Sequence, residues 1–281
     1  MIAIGTHFYT AGPDGTGRQQ RAQQAIRALA DVRPINVQFA DEPLAVDGFE
    51  MLPVLTADSR TVTGGGGRRK PIVSEMFDAL AVEARAHGCR YFVYLNGDIE
   101  VSAAALDRVR AGGLDGCAFC RVDLDPRTRA ETGVERYGID MFAIDAGWWT
   151  RERRRFRPYI AGEACWDNVY AAIVCAHGRG DIVDEDPAIY HEQHDRAWGG
   201  GLFAHYNGYL AALDAEYFSQ WTRFVARRET GAARAAVIAE VFGRPSRSPL
   251  ARAWHAGRSV RARWRYAAHA RDARRAAAAG Q

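Results

Sequence analysis

The chain reads as an α/β protein, a Rossmann-like, mixed but mostly parallel sheet flanked by helices, with a helical extension at its C-terminal end. Three observations predict this. Tyr91–Leu95 is a short aromatic and β-branched run without polar alternation, the pattern of a strand buried on both faces. Similar runs alternate with helix-length segments over the first two-thirds of the chain. From Tyr206 onward only helical patterns remain. The chain therefore divides at 205/206, into a ligand-binding body (1–205) and an Arg-rich helical extension (206–281).

In chain order, Met1–Tyr9 is a first strand, followed by a polar, Gly-rich loop (Ala11–Gly17). Arg18–Ala30 has helical composition, with Ala22, Ile26 and Leu29 on one face, and Pro34 breaks the pattern. Ile35–Phe39 is a second strand ending at Ala40-Asp41-Glu42, and Phe49–Leu55 a third. Thr63 and four glycines then lead to Arg68-Arg69-Lys70. The glycines suit a mobile surface loop, and the basic trio suits delivery to an anionic ligand. The Walker spacing is absent. Pro71–His87 is a helix with Ile72, Met76, Leu80, Val82 and Ala86 as its apolar face, ended by Gly88.

Tyr91–Leu95 follows and stops at Asn96-Gly97-Asp98, so polar oxygens stand at the carboxyl edge of the sheet, where open α/β sheets bind ligands. Asn96 and Asp98 suit a hard cation such as Mg²⁺ or Mn²⁺, and they equally suit a strand-to-helix turn. Ser102–Val109 is a helix capped by Ser102. Gly116–Leu124 and Tyr137–Asp145 are strands, the second carrying Asp140 inside an apolar run, where a buried carboxylate needs a partner. Arg151–Arg157 is a basic loop. Gly162–Tyr170 opens a helix that runs to His177. Glu163 and Asp167 near its first turn are favoured by the helix dipole, or act as a general base beside Trp166, whose ring suits a sugar face. Asp181–Tyr190 is a last strand, and His191, His194 and Asp195 at its exit suit metal ligation. Helices follow over 207–226, 231–242 and 250–279.

Composition narrows the classes. The sequence is 48% hydrophobic and 25% charged, as in soluble globular proteins. Its net charge of +3 is uneven: ten arginines and one aspartate from Arg244 onward make +9, leaving residues 1–243 at −6. Five scattered cysteines fit reduced thiols and a cytoplasmic location, and Cys117-Ala-Phe-Cys120 lacks the second pair of a zinc knuckle. Met1 leads straight into a strand-like run, without a signal peptide, and no apolar stretch nears the ~20 residues of a membrane span.

The order of Arg68-Arg69-Lys70, Asn96-Gly97-Asp98-Ile99, Tyr137-Gly-Ile-Asp-Met-Phe-Ala143, Trp166-Asp167-Asn168 and Tyr190-His-Glu-Gln-His-Asp195 resembles the GT-A class of nucleotide-sugar glycosyltransferases. The likeness is to family-2-like members with an Asn-x-Asp form of the Asp-x-Asp motif, and it spans residues 1–205. It implies a GT-A fold and sugar transfer from a nucleotide-diphosphate donor to a hydroxyl of a glycan or lipid-linked acceptor, assisted by Mn²⁺ or Mg²⁺. Asp98 would ligate the metal, with His191 or His194 completing the shell and Asn96 in place of the first Asp. Thr6, His7, Asp41 or Glu42 would lie near the nucleoside, and Arg68, Arg69 and Lys70 near the diphosphate. Asp167, or Glu163, would be the base, and Trp166 and Asp140 would face the acceptor.

The basic tail (250–281) fits the anionic inner face of a membrane, or a solvated helix packed on the body. Two competing functions are a nucleotidyltransferase acting on a sugar phosphate and a non-catalytic, polyanion-binding protein. The first needs a basic Gly-rich loop directly after strand one, which Gly12–Arg18 matches poorly. The second needs a nucleic-acid reading module, and none is present, so no specific nucleic acid is expected.

Overall fold

The computed structural model describes residues 1–185, 189–194, 201–227, 229, 232–243 and 248–279. Strand β1 (Ile2–Thr6) leads to helix α1 (Pro13–Arg27), which starts at Pro13 rather than Arg18. Proline's fixed φ and missing N–H suit the first helical turn, so part of the expected loop is helix. Strand β2 (Val32–Phe39) runs through Pro34. Its neighbour β3 (Glu50–Leu55) pairs only from Ile35 onward, so that side asks no ladder bond of the proline nitrogen. A short helix α2 (Ser59–Thr63) was not legible in the sequence. The Asp58 side chain caps it by accepting from the Arg60 and Thr61 amides, and Gly64, at φ 65°, ends it in the left-handed region.

Helix α3 (Val73–Ala86) buries Val73, Met76, Phe77, Leu80, Ala81 and Ala84, whereas Val82 and Ala86 face solvent. Strand β4 (Tyr91–Leu95) has the expected bounds. After Asn96-Gly97-Asp98 comes a three-residue strand, β5 (Ile99–Val101), and then α4 (Ala103–Ala111), whose first turn the Ser102 hydroxyl caps. Strands β6 (Gly116–Leu124) and β7 (Glu131–Asp145) form a long antiparallel pair. The polar residues before Tyr137 thus belong to β7, because they ladder onto the end of β6. Helix α5 (Ala146–Glu152) and a 3-10 turn (Arg153–Arg155) replace most of the expected basic loop. Helix α6 is Trp166–His177.

The single strand expected over 181–190 is two, β8 (Gly180–Val183) and β9 (Ile189–Glu192), each parallel to a different stretch of β6. The expected helix 207–226 is also two, α7 (Leu202–Leu213) and α8 (Ala215–Ala226). They part at Asp214, whose carboxylate accepts from Arg157 and Tyr159. Helices α9 (Ala232–Phe242) and α10 (Pro249–Ala279) complete the described chain.

The described strands form one mixed, mostly parallel sheet of nine, in the order β3-β2-β1-β4-β7-β6-β9-β5, with β8 also on β6. Successive residues of β4 enter opposite cores. Phe92 and Tyr94 pack with α3, α5 and α6, and Tyr91, Val93 and Leu95 pack with α1 and α4. This two-sided burial is why the strand reads as continuously apolar. Trp221, Phe224, Val237 and Phe242 of α8 and α9 join the first core. Among the described residues no helix is long and apolar enough to cross a membrane.

Candidate active site

Strands β1 and β4 are adjacent and parallel, so the residues after each, His7 and Asn96–Asp98, reach the same sheet edge. Strand β9 lies between β6 and β5. His191 stands in register with Asp123 on one side and with Ile99, next to Asp98, on the other. These segments, the 68–70 stretch and the start of α6 border one cleft of about 1180 Å³.

Asp98, His191 and His194 converge there, with one ligand atom from each lying within 4.8 Å of the others. Asp98 Oδ2 is 3.3 Å from His194 Nε2 and 3.7 Å from His191 Nε2. Burial alone would raise the Asp98 carboxyl, but the hydrogen-bonded His194 and the neighbouring His191 imidazole outweigh it and hold the group well below the usual range. Burial would lower His191, and its bond to Asp123 and the nearby Asp98 carboxylate instead raise it to about 9. One carboxylate and two imidazoles make a donor set suited to a first-row divalent metal.

Asn96 does not point its oxygen at this cluster. Its Oδ1 accepts from the Tyr94 hydroxyl at 3.0 Å, and its Nδ2 donates to Asp140 Oδ1 at 2.5 Å. The other Asp140 oxygen takes Arg121 Nη1 at 2.7 Å. Asn96 is therefore held in a part-buried polar network. Asp140 is buried, borders the cleft, and has each oxygen engaged, one by Asn96 and one by Arg121.

The basic segment divides its work. Arg69 lies 4.1 Å over the Phe39 ring and is held by Asp58 (2.8 Å), Asp41 (2.9 Å) and Glu42 (3.3 Å). Its charge is spent on fixing the ends of β2 and β3. Lys70 Nζ donates to Glu163 Oε1 at 2.6 Å, tying this segment to the loop before α6 and occupying the Glu163 carboxylate. Arg68 rests 4.2 Å over the Tyr9 ring and has no carboxylate partner among the described residues. His7 borders the cleft, its Nδ1 bonded to the Val37 carbonyl at 2.8 Å. Thr6 is 1% exposed beneath Gly97.

Asp167 also lines the cleft and receives the Ile139 amide at 3.4 Å. Burial, and then the charge of Asp140, raise its carboxyl to about 7. Trp166 also borders the cleft but is only 3% exposed. It packs against Tyr94, Phe142 and Tyr170, so no ring face is free to stack on a sugar. The reason is position: the first residue of α6 sits over the sheet.

Sequence reasoning missed Arg121, Asp123, Asp58 and Tyr9. The signal available for the first two was Arg121-Val-Asp123, two charged residues on one face of an otherwise apolar strand. Asp195 lies outside the described residues.

No family model matches the chain, and no curated protein matches it. Among solved structures it is similar to the crystal structure of S. aureus TarS, with 8% identity over 85% of this chain and 70% of that one, and a TM-score of 0.46. A glycosyltransferase involved in glycosylation of the major capsid of PBCV-1 is similar at 11% identity (70% and 95% covered, TM-score 0.36). An active-site mutant of LgtC is similar at 12% identity (84% and 100% covered, TM-score 0.34). Likeness at this level speaks to neither activity nor substrate.

Proposed function

We propose that the protein is a metal-assisted glycosyltransferase that moves a sugar from a nucleoside-diphosphate donor to a hydroxyl of a glycan or lipid-linked acceptor. The observation that carries this is the convergence of Asp98, His191 and His194 at the carboxyl edge of β4, in one cleft with an arginine that has no carboxylate partner among the described residues and a carboxyl raised to near neutrality. The two imidazoles favour Mn²⁺ over Mg²⁺, which takes oxygen ligands. Such a donor set also serves Fe(II) in oxygenases. The neighbouring Arg68 favours a phosphorylated ligand instead.

Bound there, a divalent metal supplies positive charge against the negative charge that builds on a departing diphosphate. The chain's own residues do the rest. Arg68 pairs with the diphosphate. Tyr9 and His7 border the nucleoside side of the cleft, and Arg69, through Asp41, Glu42 and Asp58, keeps that side rigid. Asp167, ionised above about pH 7, accepts the proton of the acceptor hydroxyl if configuration inverts. Glu163 is assigned to holding Lys70 rather than to proton transfer.

The charge of helix α10 motivates a peripheral role at an anionic membrane surface. It packs on α7 through Tyr266 against Tyr209, and through the Ser259 hydroxyl on the Ala212 carbonyl. Leu250, Trp254, Val260 and Trp264 are each more than half exposed, on a helix whose eight arginines and one aspartate sum to +7.

The test is thermal stability with a panel of nucleoside diphosphates, with and without Mn²⁺, on the wild type and Asp98→Ala. A ligand at about 100 times its Kd adds about 2.7 kcal/mol of stability. A Mn²⁺-dependent rise with one nucleotide, absent in Asp98→Ala, is the expected result. No rise with any nucleotide in a folded sample overturns the reading.

A further inference from the structure

One carboxylate beside the metal cluster has no role in the reading above. Asp123 lies on β6, directly in register with His191 on β9, so the two side chains stand next to each other on one face of the sheet. His191 Nδ1 is 3.2 Å from Asp123 Oδ1, and His191 Nε2 is the nitrogen turned to Asp98. Asp123 is itself held: Arg121 Nε donates to its Oδ1 at 2.7 Å. The same guanidinium reaches Asp140, which holds Asn96. One arginine thus braces both segments that carry the candidate ligands, the Asn-Gly-Asp turn and the end of β9.

We infer that Asp123, clamped by Arg121, is the positioning residue that fixes His191 with its Nε2 toward the metal. A neutral imidazole carries one N–H. In the neutral form that ligates a metal, Nδ1–H donated to the Asp123 carboxylate leaves Nε2 as the lone pair, with the ring locked in the direction a ligand needs. A carboxylate behind a ligating histidine sets its tautomer and strengthens it as a donor, and loss of such a partner commonly costs 10–100-fold in metal affinity. An Arg121–Asp123 ion pair by itself would be satisfied without the imidazole. What marks the arrangement is that the nitrogen facing away from Asp123 is the one turned to Asp98, 3.7 Å from its Oδ2.

This inference rests on the metal reading, and the experiment separates the two. Mn²⁺ is titrated into the full-length wild type, Asp98→Ala, Asp123→Leu and Asp123→Asn, with free Mn²⁺ followed by electron paramagnetic resonance. Asp98→Ala is expected to lose saturable binding. Asp123→Leu, which removes the acceptor, is expected to raise the Mn²⁺ Kd about 10–100-fold. Asp123→Asn keeps an oxygen for Nδ1–H without the charge and is expected to raise it only several-fold, a partial rescue that general damage to the fold would not produce. It also keeps the experiment decisive if the leucine variant fails to fold. Saturable binding that is lost in Asp98→Ala but unchanged in the Asp123 variants overturns the role of Asp123 alone. No saturable binding by the wild type, or none lost in Asp98→Ala, overturns the metal reading and this inference with it.

Discussion

Asn96 donates its side-chain N–H to Asp140 at 2.5 Å, and this contact explains why the first residue of the Asn-Gly-Asp turn is an amide. Asp140 already faces Arg121 on its other oxygen and needs a donor here, which a carboxylate cannot be.

Asn96→Asp would set two carboxyl groups at hydrogen-bonding distance, where both cannot stay ionised. The folded variant would hold a proton that the unfolded chain releases near pH 4. Its stability relative to the wild type is therefore expected to fall as pH rises above about 4, by roughly 1–3 kcal/mol at pH 8. Its Mn²⁺ affinity should not rise. A variant as stable as the wild type at pH 8, with tighter Mn²⁺ binding, would show that residue 96 faces the metal. Melting curves at pH 4 and pH 8 decide this.

Asp167 has its carboxyl raised to about 7, above its unfolded value of about 4. The folded state holds the proton more tightly, so this group's contribution to stability falls as pH rises from about 4 to 7. Asp167→Asn is expected to melt higher relative to the wild type at pH 8 than at pH 4. Sugar transfer that uses the carboxylate should rise through about pH 7 in the wild type, and the variant should lose about 10²–10⁴-fold. A variant with wild-type turnover would remove Asp167 from proton transfer.

Arg68 and Arg69 are neighbours with different expected losses. Arg69→Ala leaves buried Asp58 without its guanidinium and should cost about 1–3 kcal/mol of stability in the free protein. Arg68→Ala should change free-protein stability by less than about 0.5 kcal/mol. It should weaken nucleoside-diphosphate binding about 10–100-fold, the worth of a hydrogen bond to a charged group. Calorimetry of each variant, alone and titrated with nucleotide, checks both. The reverse pattern would exchange their roles.

Helix α10 should bind vesicles containing phosphatidylserine and not neutral ones, with binding that weakens as salt rises. Trp254→Ser with Trp264→Ser should reduce co-sedimentation without lowering nucleotide affinity, because both side chains are exposed and neither lines the cleft. Equal binding to neutral and anionic vesicles, or none to either, would reject the membrane role. Salt-sensitive binding to nucleic acid alone would point to a polyanion partner.

The amino-acid sequence by itself determined the α/β class, the bounds of β4, the cap at Ser102 and the pile-up of polar residues at the strand end. Each is a local matter of apolar period, turn chemistry or capping, readable within a window of a dozen residues. It also singled out Asp98, His191 and His194 as residue types suited to a metal. Tertiary structure alone decided what these residues and their neighbours can do. The register of β9 between β5 and β6 sets His191 beside Asp123, and the β4–β7 pairing sets Asn96 beside Asp140. The closing of the cleft sets Lys70 on Glu163, and the docking of α6 on the sheet buries the Trp166 ring. Those partners lie from tens to nearly a hundred residues apart. A charge has the same letter whether it meets no carboxylate among the described residues, as in Arg68, or three, as in Arg69, and only the fold brings up the groups that make the difference.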